Sequence, residues 1–198
     1  MTAAQPLVLA STSPFRRMLL EKLGLPFSSC APEVDEQRLP GESAEALVTR
    51  LAEAKARAAA AEHPNALIIG SDQVACIDGQ VLGKPGNRAN AIAQLQQAAG
   101  RAVTFHTGLC LYHSGHDRVQ VLREPFRVHF RALDEAQIAR YVDAEQPFNC
   151  AGSFQSEGFG IPLFERREGD DPNSLIGLPL IALNDMLRNW GLNPLLTR

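Results

Sequence analysis

An α/β fold is predicted by three features of the chain. Leu7-Val8-Leu9-Ala10 is a short apolar run that ends in Ser11-Thr12-Ser13-Pro14 and leads into apolar residues at helical spacing, the order of a strand, a tight turn and a helix. Ala66-Leu67-Ile68-Ile69 is a continuous apolar run of the kind buried on both faces of a sheet, and it ends in Gly70-Ser71-Asp72. Further strand-like segments then alternate with amphipathic helical ones along the rest of the chain.

The first junction presents unpaired N–H groups and the positive end of a helix dipole. Ser13 suits the N-cap, Pro14 the first helical position and Gly24 the stop. Ser11, Thr12, Ser13, Arg16 and Arg17 crowd the same spot. Arginine in a first turn opposes the dipole unless an anion is present, so a phosphate is the expected occupant. The plainer reading is a capped helix with a solvated basic turn.

Pro26 to Cys30 reads as a second strand, running into Pro32-Glu33-Val34-Asp35-Glu36. These acids repel one another unless a cation sits among them, which makes the loop a candidate for Mg²⁺ or Mn²⁺; a solvated acidic loop is the alternative. Gly41-Glu42-Ser43 opens an Ala-rich helix to about Ala61, whose charges are read as mostly surface. The strand from Ala66 to Val74 follows, placing Asp72 at a strand end, where ligands bind in open sheets; a cap or turn acid is the alternative. Val74 to Leu82 is a hairpin about Asp78-Gly79 and delivers Gly83-Lys84-Pro85. There Lys84 has its backbone fixed on both sides and is suited to pairing with phosphate, although no Walker sequence surrounds it.

Asn87 to Ala99 is predicted as a helix stopped by Gly100, followed by strands 101–112 and 118–131 joined at Ser114-Gly115. In the second, Val119 and Val121, then Phe126, Val128 and Phe130, are read against Arg127, His129 and Arg131, and Pro125 marks a bulge or an edge. Asp134 and Gln137 form the capping-box pattern of the next helix, to about Ala144. The Gly- and Ser-rich segment 150–160 carries Phe154, Glu157 and Phe159 and is suited to wrapping a planar ring, unless its Phe residues merely anchor it. Residues 163–166 are read as a strand, 169–173 as a turn, and 175–180 as the lead into a last helix ending at Trp190-Gly191.

Composition bounds the function. The 198 residues suit one domain, 1–198, and the 45% apolar and 21% charged shares exclude disorder. A net charge of −3 argues against nucleic-acid or anionic-membrane binding. The N-terminus has no basic n-region and no apolar run is long enough to span a membrane, so a cytoplasmic location is expected. Cys30, Cys76, Cys110 and Cys150 are isolated and read as buried free thiols, and the His113/His116 pair as a hairpin tip rather than a metal site.

Taken together, residues 10–17, 32–36, Lys55, Gly-Ser-Asp-Gln (70–73), Gly-Lys-Pro (83–85), 151–160 and Ile-Gly-Leu-Pro-Leu (176–180) resemble, in order, the Maf family of nucleotide pyrophosphatases. The resemblance implies a mixed, twisted central sheet flanked by helices, with two lobes and a cleft, similar to inosine triphosphate pyrophosphatases. It implies metal-dependent hydrolysis of a nucleoside triphosphate to the monophosphate and pyrophosphate. It would make Asp72 the proton acceptor, Ser11, Arg16, Lys55 and Lys84 the phosphate-binding residues and Glu36 a metal ligand, and it implies a homodimer.

Phe15 and Gln73 depart from the commoner Maf pattern, associated with dTTP and UTP, and together with Glu157 resemble the 7-methyl-GTP branch. An aromatic at Phe15 would stack on a methylated purine, and Glu157 would pair with the guanine edge or offset the ring charge. The readings set against this one are a dTTP/UTP pyrophosphatase and a non-catalytic nucleotide-binding regulator of cell division. A pure sensor has no need of a water-activating base such as Asp72.

Overall fold

The structure, a computed structural model, describes residues 5–196. Residues 1–4, part of the N-terminal stretch read above for a leader, lie outside it. Strands β1 (Leu7–Ala10), β2 (Ser28–Cys30), β3 (Leu67–Ile77), β5 (Ala102–His113), β6 (Arg118–Phe130) and β7 (Phe164–Glu168) form one sheet in the order β2-β1-β3-β5-β6-β7, with β4 (Gln80–Leu82) paired to β3. The first three neighbours run parallel and the rest antiparallel, a mixed sheet. It is flanked by α1 (Pro14–Glu21), α2 (Ala44–Ala58), α3 (Arg88–Ala98), α4 (Glu135–Glu145), α5 (Pro172–Ile176) and α6 (Leu180–Asn189).

Most local signals act as read. Ser13, Asn87 and Asp134 cap their helices, the last with the full capping box. Asp78 and Gly79 both take positive φ, 46° and 80°, as a two-residue hairpin turn requires. The strand and hairpin arm read separately across Val74 are one continuous β3.

Helix α2 packs on one face of the sheet, and two glycines let it approach. A Cβ at Gly70 would strike the Ala52 carbonyl oxygen and lie 2.9 Å from the Ala56 nitrogen. One at Gly108 would strike the Val48 carbonyl. The alanines of α2 therefore serve close backbone packing, and Ala52 and Ala56 share a cluster with Val8, Ala10, Ile68 and Cys110.

The opposite face carries two separate apolar clusters. Leu19 and Leu20 of α1 and Leu183 and Leu187 of α6 cover Leu7, Leu9, Leu67 and Ile69. Leu95 of α3 and Ile138, Tyr141 and Val142 of α4 cover Ala75, Phe105, Phe126 and Val128. Along one edge, β3 pairs with β1 through residues 67–69 and with β4 through residues 75–77. Residues 70–74 have no ladder partner on that edge among the described residues, and the cleft opens at this gap.

Some expectations are corrected. Strand β2 begins at Ser28, not Pro26. Pro125 makes no bulge: it stays in register opposite His106, on the stretch of β6 that β7 does not reach, so the edge reading applies. Val119 and Val121 are 39% and 36% exposed, because their face looks toward α2 but lies beyond its flank, while from Gln120 onward the even-numbered residues of β6 are the more buried ones. Residues 169–173 are not a simple turn, since Asp171 caps α5.

Candidate active site

A cleft of about 600 Å³ at the β3 gap is lined by the end of β1 and start of α1, the loop after β2, α2, β3, the segment after β4, residues 149–157 and α5. Ser11, Phe15, Arg16, Glu36, Lys55, Asp72, Gln73, Lys84 and Glu157, all named from the sequence, line it together.

At the β1–α1 junction, the Ser13 hydroxyl accepts from the Arg16 N–H, and the Arg16 side chain is fixed by donating Nε to the Gly177 carbonyl at 2.9 Å. Nη1 reaches the Ser11 hydroxyl at 3.4 Å. Burial lowers the pKa of Arg16 from its ordinary value, while the charges of Asp72 and Glu36 oppose that shift. The first turn of α1 carries no acid. A desolvated cation at a helix N-terminus is the arrangement an incoming anion completes.

Lys55 is buried, 8% exposed, an exception to the mostly surface charges read for the Ala-rich helix. Its Nζ donates to Asp72 Oδ1 at 2.6 Å and lies 2.7 Å from Glu36 Oε1. The hydrogen bond from Lys55 is the largest cause of the lowered pKa of Glu36. Asp72 reaches this bridge because even-numbered residues of β3 face α2. Ser71 and Gln73 face the other way, to the carbonyls of Gly177 and Ser174.

The acidic loop does not gather its carboxylates. Asp35 accepts from its own loop, at the Gln37 N–H, and Glu36 alone of the three lines the cleft. Among the described residues no group of three His, Cys, Asp or Glu side chains could hold a metal. Glu36 and Asp72 nevertheless meet at one ammonium, and hard carboxylate oxygens are the donor type that a divalent cation takes.

Residues 149–157 form the far wall. Phe154 packs into the core against Phe105, Phe130 and Phe164 while still touching the cleft. Phe159 stacks on Tyr141 outside the cleft, so this segment does not wrap a ring with both aromatics. Burial, and next the charge of Glu157, push the Cys150 thiol up to about 11, which leaves it a neutral wall residue. His113 and His116 lie at a hairpin end with ring centroids 4.3 Å apart and the rings tilted by 53°.

Thr12, named from the sequence among the hydroxyls of the first junction, also lines the cleft, as do Asn149, Gln155 and Leu175, which carry no role assigned from the sequence. The signal for α5 was present: Asp171-Pro172 repeats the cap-then-proline pattern of Ser13-Pro14.

The fold is similar to that of the Staphylococcus aureus Ham1 protein, with a TM-score of 0.58 at 14% identity, covering 94% of this chain and all of that one. A protein of Colwellia psychrerythraea named 7-methyl-GTP pyrophosphatase is 57% identical over 189 residues, 96% of this chain and 94% of the relative. The family described as Maf-like protein matches residues 6–190, a span that takes in every cleft residue named above, and the chain belongs to that family.

Proposed function

We propose that the protein hydrolyses 7-methyl-GTP to the nucleoside monophosphate and pyrophosphate, by attack of water on the α-phosphorus. The observation that carries the reading is one cleft holding an acid–lysine–acid bridge, two further cations and an aromatic–carboxylate pair, Phe15 and Glu157. The 57% identical relative bears the same activity in its name.

In this reading Arg16, Lys55, Lys84 and the Ser11 hydroxyl hold the triphosphate, and Lys55 also keeps Asp72 aligned. Asp72 accepts the proton of the attacking water, and the phosphorus–oxygen bond to the β-phosphate breaks, so no covalent intermediate forms. Lys84 has its backbone held between Gly83 and Pro85 and lines the cleft, the condition for a directed phosphate contact. Mg²⁺ or Mn²⁺ held by Glu36, with Asp72, would supply charge neutralisation of the phosphates. Phe15 stacks on the methylated base, Glu157 accepts from its N–H edge or offsets its charge, and Gln73 contributes to base choice.

The test is pyrophosphate release from 7-methyl-GTP, GTP, dTTP and UTP, with either metal and with a chelator. The expected result is fastest turnover of 7-methyl-GTP, abolished by the chelator. Preference for dTTP or UTP would overturn the base assignment, and release of inorganic phosphate alone would overturn the bond assignment.

A further inference from the structure

Asp171 is 1% exposed and makes no ion pair among the described residues, yet its carboxylate is hydrogen-bonded through both oxygens. Oδ1 accepts from the Asn173 N–H at 2.8 Å and from Asn173 Nδ2 at 2.7 Å, and Oδ2 accepts from the Ile181 N–H at 2.8 Å. One side chain thus ties the start of α5 to the first turn of α6. A buried carboxylate held by three N–H donors is a rigid joint, since losing any one leaves a desolvated polar group unpaired.

The C-terminal carbonyls of α5 are the groups that hold the cleft. Arg16 Nε and the Ser71 hydroxyl donate to Gly177 O at 2.9 and 2.8 Å. Gln73 Nε2 donates to Ser174 O at 2.7 Å, Leu175 O at 3.2 Å and Thr107 Oγ1 at 2.9 Å. The Thr107 hydroxyl gives its own proton to Ser174 O at 2.9 Å, so toward Gln73 it can only accept. Backbone carbonyls also only accept, which fixes the Gln73 amide: its nitrogen faces α5 and its protons are spent there. What Gln73 has left to offer is its carbonyl oxygen.

We infer that Asp171 is a positioning residue for the cleft: through α5 it orients Arg16 toward the phosphates and holds Gln73 as a hydrogen-bond acceptor, so that the substrate group meeting Gln73 is a donor. The inference deepens the proposed function and rests on it for the identity of the substrate.

The test compares Asp171→Asn, Gln73→Ala and the double variant by melting temperature and by pyrophosphate release from 7-methyl-GTP and GTP. Asp171→Asn sets an amide against donors and is expected to raise KM about tenfold and to erode base preference as far as Gln73→Ala does, with kcat within about twofold. The double variant is expected to have no less base preference than the weaker single, because both act through one contact. A lowered melting temperature with KM and preference intact, or additive losses in the double variant, overturns the inference. Asn173→Ala, which removes the Nδ2 bond to Asp171 together with an exposed bond from Lys22 Nζ to Asn173 Oδ1, should shift KM in the same direction by a smaller factor, while Lys22→Ala, which removes the exposed bond alone, should not, and the pair serves if Asp171→Asn does not fold.

A readout free of turnover separates this inference from the function itself. The side-chain amide of Gln73 is expected to exchange with water slowly in the wild-type protein and at least about tenfold faster in Asp171→Asn. Equal exchange in both overturns the positioning role even if no triphosphate proves to be a substrate.

Discussion

Asp72, Lys55 and Glu36 form a row of opposite charges within 2.6–2.7 Å, and each member decides what the others can do. Asp72→Asn keeps the shape and a hydrogen-bond acceptor but removes the proton-accepting charge. The expected loss in kcat is about 10²- to 10⁴-fold with nucleotide binding retained, measured by steady-state kinetics beside calorimetric titration. Lys55→Met leaves two carboxylates facing each other across an apolar stem. The pKa of Glu36 should then rise from its lowered position, which a carboxylate-resolved NMR titration would show, because its largest lowering contribution is the Lys55 hydrogen bond. That Ser11, Arg16, Asp72 and Lys84 share one cleft was legible from short hydroxyl, glycine and charged motifs, and Phe15, Lys55 and Gln73 came through the family resemblance, but the burial of Lys55 was not legible. Nothing in an Ala-rich helix with scattered charges says which charge faces a strand.

At the scale of elements, the position of α2 is set by main-chain contact. Gly70→Ala would drive a methyl into the Ala52 carbonyl, and since backbone cannot step aside as a side chain can, the cost is expected to reach about 3 kcal/mol or more in urea unfolding. Lys55 rides on the same helix, so residual folded protein should also lose activity. The loop that carries Glu36 is pinned to α2 by Glu42, whose carboxylate takes Arg50 Nε and Nη2 at 2.6 and 2.9 Å, while Arg50 also holds the Gln37 carbonyl. These contacts depress the Glu42 pKa from 4.5 to about 2. A depressed carboxylate stabilises the fold above its unfolded pKa and loses that contribution as pH falls through the folded one. Glu42→Gln should therefore flatten the decline of stability between pH 4.5 and about 2, as read from urea midpoints across that range. Capping residues and the Asp78-Gly79 turn were readable because they act locally. The exposure of Val119 and Val121 was not, since it depends on how far sideways α2 extends. Helix α5 was missed because five residues are too few to show a period, and it works through carbonyls that every residue type shares.

For the whole molecule, two apolar clusters on one face of the sheet stand on either side of the cleft, joined by strands that run through both. Nucleotide bridging them would bind the folded state alone and raise its stability by about 2.7 kcal/mol at a hundredfold excess over Kd. A thermal scan with a slowly hydrolysed triphosphate analogue should show the transition moving upward with analogue concentration. The α/β class was legible from the alternation of strands and helices. The order of strands was not, because pairing across β3, β5 and β6 joins residues far apart in the chain.

Strand β1 halts at Ala10, where the hydroxyl-rich turn and Pro14 divert the backbone, while its neighbour continues to Ile77. Had the first strand run on for a few more residues, it would have zipped against 70–74 and filled the room where nucleotide is proposed to lie. A segment engineered to prolong that strand should silence the protein without touching any charged group, a knock-out written in main-chain geometry.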